Sequence, residues 1–202
     1  PREAAADNLK VLGIPDRDAA AKPNLIDLSL FYNAPKGPVP WLPCGIRNWA
    51  GNDFDVRGVI DVGSGEPPGV LYSFAGADRN VMQNIAVEQK CSRLHFIHAA
   101  GRLIRSQQDL PVPDGTAVAR YVVHFTGGES IEIPVVWGAD VADAYGPPLE
   151  SNPQLMIVWA GFKEPAYGEP KPVRLFKSTW NNPRPELSVT SIDIIVLKEH
   201  LS

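Results

Sequence analysis

Four of the five tryptophans stand at the ends of predicted strands or in loops, beside residues that can hydrogen-bond a hydroxyl group. An indole ring at such a place stacks on the apolar face of a sugar, while amide and guanidinium groups bond its hydroxyls. We therefore predict a carbohydrate-binding surface made of Trp41, Arg47, Trp49, Trp180, Asn181, Asn182 and Arg184. The alternative is that these rings only close the ends of the fold.

Carboxylates and histidines could hold a metal ion. Asp27, Asp53 and Asp193 are candidate ligands for a structural Ca²⁺ if the chain ends pack together, because calcium prefers oxygen ligands. His95 and His98 are three residues apart on a predicted strand, so they point to opposite faces and cannot share an ion. We expect the histidines to be structural.

Catalytic motifs are missing from the sequence. It contains no G-x-S-x-G elbow, and its glycine pairs lack the strand-to-helix context of a phosphate loop. Asp53 and Asp55 on one strand could serve a glycosidase, and His95 and His124 could lie across neighbouring strands as the start of a metal site. A glycoside-active or metal-dependent enzyme is therefore a third alternative, behind a binding module and a structural domain.

Composition narrows the classes of partner. The 202 residues carry a formal charge of −4 with no long run of Lys or Arg, which argues against nucleic-acid binding. The longest apolar run, "LMIVWAGF", is far shorter than the roughly 20 residues needed to span a bilayer. We expect no membrane insertion and a glycan or protein as the partner.

The elements that must position these side chains are short strands. Twenty prolines and seventeen glycines fit many shaped turns, and no sustained helical periodicity follows residue 24. "NDFDVRGVIDVG" predicts a half-buried strand with a charged outer face, and "QLMIVWAGF" predicts a central strand with both faces covered. The pattern predicts an all-β fold, specifically a jelly-roll β-sandwich.

The clearest hairpin is "ARYVVHFTGGESIEIPVVWG". Gly127 and Gly128 can supply the positive φ of a tight turn. The second strand then places one set of residues on the core face, namely Ile131, Ile133, Val135 and Trp137.

Two segments are predicted along the chain. Residues 1–24 form a helical arm and linker, with Gly13 and Pro15 as the stop, and residues 25–202 form the β-sandwich domain. Cys44 and Cys91 are either free thiols or a disulfide, depending on whether their strand ends meet. The chain starts at Pro1 without a visible signal peptide, so we expect it to be part of a larger chain.

Several segments taken together resemble a known group. "IDLSLFYNAP", "FDVRGVIDV", "CSRLHFIHAAG", "YVVHFTGGESIEIPVVWGADV" and "RLFKSTWNNPRPELSVTSIDII" are similar to galactose-binding-like β-sandwich domains, which include many carbohydrate-binding modules, in exported proteins of planctomycete and verrucomicrobial type bacteria. The resemblance covers about residues 24–197. It implies a jelly roll, a periplasmic, cell-surface or extracellular location, and a non-catalytic recognition role. It equally allows a structural or protein–protein interaction domain.

Overall fold

Antiparallel strands make up most of the structure. The computed structural model describes residues 7, 9–34, 42–63, 80–101, 112–145, 153–163 and 171–197. These residues form the strands β1 (Gly45–Trp49), β2 (Asn52–Val56), β3 (Val81–Lys90), β4 (Arg93–His98), β5 (Ala117–Phe125), β6 (Ser130–Val136), β7 (Ile157–Lys163), β8 (Lys171–Asn181) and β9 (Ser188–Val196).

The strands form two packed sheets and one separate hairpin. Sheet I has the order β3-β9-β5-β6 and sheet II has the order β4-β8-β7, and among the described strands β1 pairs only with β2. The core lies between sheets I and II, where Tyr121 of β5 stacks on Phe96 of β4 with ring centroids 4.0 Å apart. The prediction of an all-β sandwich, with two sheets packed around one core, is confirmed.

The β5–β6 hairpin forms as predicted. Gly127 and Gly128 have φ values of +98° and +87°, and the amide of Phe125 bonds the carbonyl of Glu129 across the turn. The predicted inward residues all belong to the core: Ile131, Ile133, Val135 and Trp137. Trp137 is therefore an anchor of the sandwich.

The N-terminal segment packs against the β1–β2 hairpin. Its helical turn ends at Gly13, where the amides of Gly13 and Ile14 bond the carbonyls of Lys10 and Leu9 in a Schellman-type cap. Leu9 and Ile14 then bury themselves against Tyr32. Gly13 is the stop that the sequence predicts.

The prediction of a charged outer face on β2 is wrong. Arg57 is only 2% exposed, and the side chain of Asp55 is only 3% exposed. Arg57 bonds Asp55 over 3.1 Å and Asp27 over 2.7 Å, and it lies over the ring of Tyr32. Strand alternation separated the two faces correctly, but Arg17, Asp27 and Tyr32 cover the charged face.

The prediction of "QLMIVWAGF" as a central strand is also wrong. β7 is the edge strand of sheet II in the part of the chain that the structure describes. Trp159, in the middle of this run, is half-buried and lies outside the core clusters. A run of apolar residues shows that a strand can be buried, but it does not show how many neighbours the strand has.

Both cysteines are free thiols. Cys44 lies just before β1, where its Sγ is 3.6 Å from the carbonyl oxygens of Leu42 and Arg57. Cys91 lies between β3 and β4, and burial is the main reason that its pKa is raised. The disulfide alternative is therefore not realised.

Candidate functional site

The largest exposed apolar side chains close together in sequence lie on or beside β7. Met156, Ile157 and Phe162 are 48%, 43% and 63% exposed. Hydrophobic side chains exposed singly need no explanation, but several along one strand edge indicate a contact surface. We call these three residues the β7 patch.

The β7 patch borders the hydrophobic core at Ile157. Ile157 is paired with Phe176, which is completely buried in the core, and Phe162 is paired with Pro172 further along β8. Directly paired residues lie on the same face of a sheet. Ile157 and Phe162 therefore lie on the inner face of sheet II, at an edge where it is exposed.

The other face of β7 is closed by its own tryptophan. A register shift between Ile157 and Trp159 sets Trp159 opposite Leu175 and Gly161 opposite Val173. The indole lies over Gly161, where an added Cβ would be 2.4 Å from the ring. The two faces of β7 therefore differ, with Trp159 packed on one and Phe162 exposed on the other.

The residues predicted to bind carbohydrate fall into separate groups. Trp41 lies outside the described residues. Arg47 and Trp49 are on β1, where the Arg47 guanidinium donates to the carbonyls of Pro43 and Cys44. The Trp49 ring is tilted against Phe54 with centroids 6.1 Å apart.

The second group lies at the end of β8 and helps to close the sandwich. Trp180 is paired with Leu94 and packs against the core. The buried side chain of Asn182 donates to the carbonyls of Cys91 and Arg184 and accepts from the Arg184 amide. Asn181 is exposed. Sugar binding by this group stays a prediction, whereas Trp180 and Asn182 have clear structural contacts.

Arg184 is held by carboxylates on both sides. Its guanidinium bonds Glu186 over 2.9 Å and Glu129 over 3.0 Å. The Glu129 contact ties the segment after β8 to the β5–β6 turn. Sheet II separates this region from the β1–β2 hairpin, because Trp180 faces the core whereas the hairpin contacts the outer face through Asn52 and His95.

Each Ca²⁺ candidate already has donors on its oxygens. Asp27 accepts from Ser29 and Arg57, and these hydrogen bonds and nearby cations lower its pKa even though burial acts in the opposite direction. Asp53 accepts from Lys22 and Asn48. Donors at these positions compete with a cation, which requires several free oxygen ligands.

Asp193, the third candidate, lies on β9 of sheet I. It accepts the backbone amide of Asn84 over 2.8 Å and bonds Nε2 of His124 over 2.9 Å. Among the described residues no group of three or more His, Cys, Asp or Glu side chains could hold a metal ion. His95 and His124, which the alternative of a metal site placed on neighbouring strands, belong to different sheets.

A polar contact that the sequence did not indicate joins the hairpin to sheet II. The Asn52 side chain lies between His95 of β4 and Lys177 of β8, with its Nδ2 3.2 Å from Nε2 of the histidine. Thr179 is 2.9 Å from the other ring nitrogen of His95. Only the pairing of β4 with β8 brings these residues together, so no local sequence signal predicts the contact.

The comparisons with known proteins identify no relative. No protein-family model matches the chain, no curated protein is significantly similar to it, and no solved structure matches it. The described residues also contain no helix with the length and apolar character needed to cross a membrane.

Proposed function

We propose that this chain is a non-catalytic interaction module that binds an extended segment of a partner protein along the edge of β7. The observation that supports this most directly is the β7 patch, which lies on or beside the strand that forms the edge of sheet II among the described residues. Edge strands recognise extended peptides through main-chain hydrogen bonds, and adjacent side chains add specificity.

An extended occupant fits this surface better than other ligands. A strand added to β7 would pair with its backbone and cover Ile157 and Phe162 in the same step, because both side chains lie on one face. A helix would leave the edge unpaired. A glycan would find no hydroxyl-binding groups on these apolar side chains.

The test is a selection of displayed random peptides on the whole chain, followed by binding measurements on variants. We expect Phe162→Glu to weaken the selected peptides at least tenfold, about 1.4 kcal/mol, because a charge replaces the apolar contact. The matched control is Leu30→Glu, which changes another exposed apolar residue, 58% exposed and far from β7 in the chain.

Strand addition also predicts where the bound peptide protects the backbone. Amide hydrogen exchange should slow in residues 157–163 on binding and stay unchanged in the β5–β6 turn. The proposal fails if no peptide is enriched, or if the enriched peptides bind the Phe162→Glu variant as tightly as the original chain.

Carbohydrate recognition is the second candidate. It is supported by the Trp49 and Phe54 rings, 6.1 Å apart, beside the exposed Arg47 side chain on β1. The test is a glycan array with and without calcium. Carbohydrate recognition is favoured if the chain binds selected glycans and Trp49→Ala abolishes that binding without unfolding the chain. It is rejected if the folded chain binds no glycan on the array.

The finer fold assignment belongs to the same proposal. The nested pairing of β3 with β9 and of β4 with β8 supports a jelly roll of the galactose-binding-like kind. Export to the periplasm, cell surface or extracellular space stays a prediction that rests on the sequence resemblance.

A further inference from the structure

We propose that the β1–β2 hairpin, Gly45–Val56, is a strap on the outer face of sheet II that mild acid releases, with His95 as its sensor. The strap contacts the sheet through its turn. Lys177 of β8 donates to the Asn52 side-chain oxygen and to the carbonyl of Ala50. Asn52 Nδ2 lies 3.2 Å from Nε2 of His95 on β4.

The direction of each hydrogen bond follows from Lys177. A lysine ammonium can only donate, so the oxygen of the Asn52 amide must face Lys177 and the NH₂ group must face His95. Nε2 of His95 is therefore an acceptor. The ring proton is on Nδ1, which donates to Thr179 Oγ1 over 2.9 Å. This arrangement requires a neutral imidazole.

A second proton on His95 breaks the arrangement. It would be placed on Nε2, where it would meet the NH₂ group of Asn52, so that two donors would face each other. Rotating the amide by half a turn would satisfy His95 but set the NH₂ group against the Lys177 ammonium. Neither orientation of Asn52 satisfies both neighbours once His95 is charged.

The surroundings of His95 also disfavour its charged form. Burial is the main cause of its lowered pKa, and the cations Lys177 on β8 and Arg93 on β4 add to that effect. Lys177 is itself only 7% exposed, and its pKa is lowered by burial. Protonation would add a third positive charge to this place.

The charged groups of the strap are bonded elsewhere. The Arg47 guanidinium is bonded to carbonyl groups of the preceding loop. Asp53 pairs with Lys22, and Asp55 pairs with Arg57. No carboxylate of the described residues acts on the charge of His95.

Release would leave the sandwich intact. Within the described ranges, β1 and β2 pair with each other and share no backbone ladder with sheet II. A two-stranded hairpin is only marginally stable by itself. The pairing of β1 with β2 therefore depends on side-chain contacts with the rest of the chain. The N-terminal segment still holds the strap from the other side, through Arg17 with Asp55 and through Asp27 with Arg57, the residue that follows the strap. Acid would thus free the strap's turn and uncover Lys177.

Hydrogen exchange of the whole chain at a series of pH values tests this device. After correction for the intrinsic exchange rate, protection of residues 45–56 should be constant above pH 6.5, the ordinary value for histidine. Below it, protection should fall by up to about tenfold per pH unit until the pH reaches the lowered pKa, because release takes up one proton. Protection of the β5–β6 hairpin reports global opening, which also becomes easier in acid, so it should stay higher than that of residues 45–56 at every pH.

Two variants decide the role of His95. In His95→Gln the amide can accept from Asn52 and donate to Thr179 without titrating, so the strap should stay protected at every pH. His124→Gln, on the outer face of sheet I, should keep the original pH curve. The proposal is overturned if the original chain shows no pH-dependent change in residues 45–56, or if His95→Gln shows the same change.

Discussion

The hydroxyl of Tyr121 donates a hydrogen bond to Nδ1 of His98 over 3.0 Å, inside the core between the two sheets. Nε2 of the same ring is 2.9 Å from the carbonyl oxygen of Asp140, which can only accept. Nε2 therefore carries the ring proton and Nδ1 is the acceptor. Burial is the main cause of the lowered pKa of His98, so this histidine is neutral in the native protein.

Tyr121→Phe removes the only donor to Nδ1 of His98 among the described residues. The phenyl ring keeps the stacking with Phe96, so the change isolates the hydrogen bond. A buried polar atom left unsatisfied costs about 1–3 kcal/mol, and we expect a loss of that size in the free energy of unfolding. Urea denaturation measures it, and a variant as stable as the original chain would contradict the role of this bond.

Stability should decrease in mild acid. The pKa of His98 is lowered below 6.5 in the native state, so the unfolded chain takes up its proton at a higher pH. The stability is therefore fully present above 6.5 and is lost as the pH falls from there towards the lowered native value. The pKa of His95 is also lowered, so His95 contributes to the pH dependence of stability in the same direction.

Urea denaturation between about pH 8 and about pH 5 checks this slope. His98→Gln can donate to Asp140 and accept from Tyr121 without titrating, and it should reduce the slope. Asp27 contributes little in this range, because its pKa is lowered from 3.8. Equal free energies of unfolding at the highest and lowest pH would contradict a lowered pKa of His98.

Arg57→Ala should strongly destabilise the N-terminal half of the structure. It leaves the Asp55 carboxylate, 3% exposed, without its closest cation. Removing one partner of a buried ion pair costs about 3–5 kcal/mol. Lys22→Ala is the control, since its ion pair with Asp53 is on the surface and should contribute nothing measurable. Similar losses in the two variants would contradict the burial of this cluster.

The sequence predicted the features that depend only on neighbouring residues, namely the β5–β6 turn and the alternation of side chains along a strand. The Gly127-Gly128 turn and the inward side of β6 follow from alternation and from the positive φ that glycine tolerates. The opposite directions of His95 and His98 follow from the period of a strand, and the structure bears them out, with one histidine on the outer face and one in the core.

The burial of Arg57 and the place of β7 in its sheet could not be predicted in the same way. Alternation separated Arg57 from the apolar side of β2, but its burial depends on contacts with Asp27 and Tyr32, which are 25 or more residues away in the chain. The apolar run of β7 likewise has the composition of a central strand. Its place at an edge depends on the pairing order of β8, which no local pattern contains.

Gly161→Ala tests the packing on the closed face of β7. The new Cβ would lie 2.4 Å from the Trp159 ring, so the indole must move, and we expect a loss of about 1–3 kcal/mol in the free energy of unfolding. Ala160→Ser is the matched control, because it adds one atom at the exposed neighbour on the opposite face. Peptides selected on the β7 patch should still bind the Gly161→Ala variant, since Phe162 also lies on that opposite face. A Gly161→Ala variant with unchanged stability would show that Trp159 does not rest on this glycine.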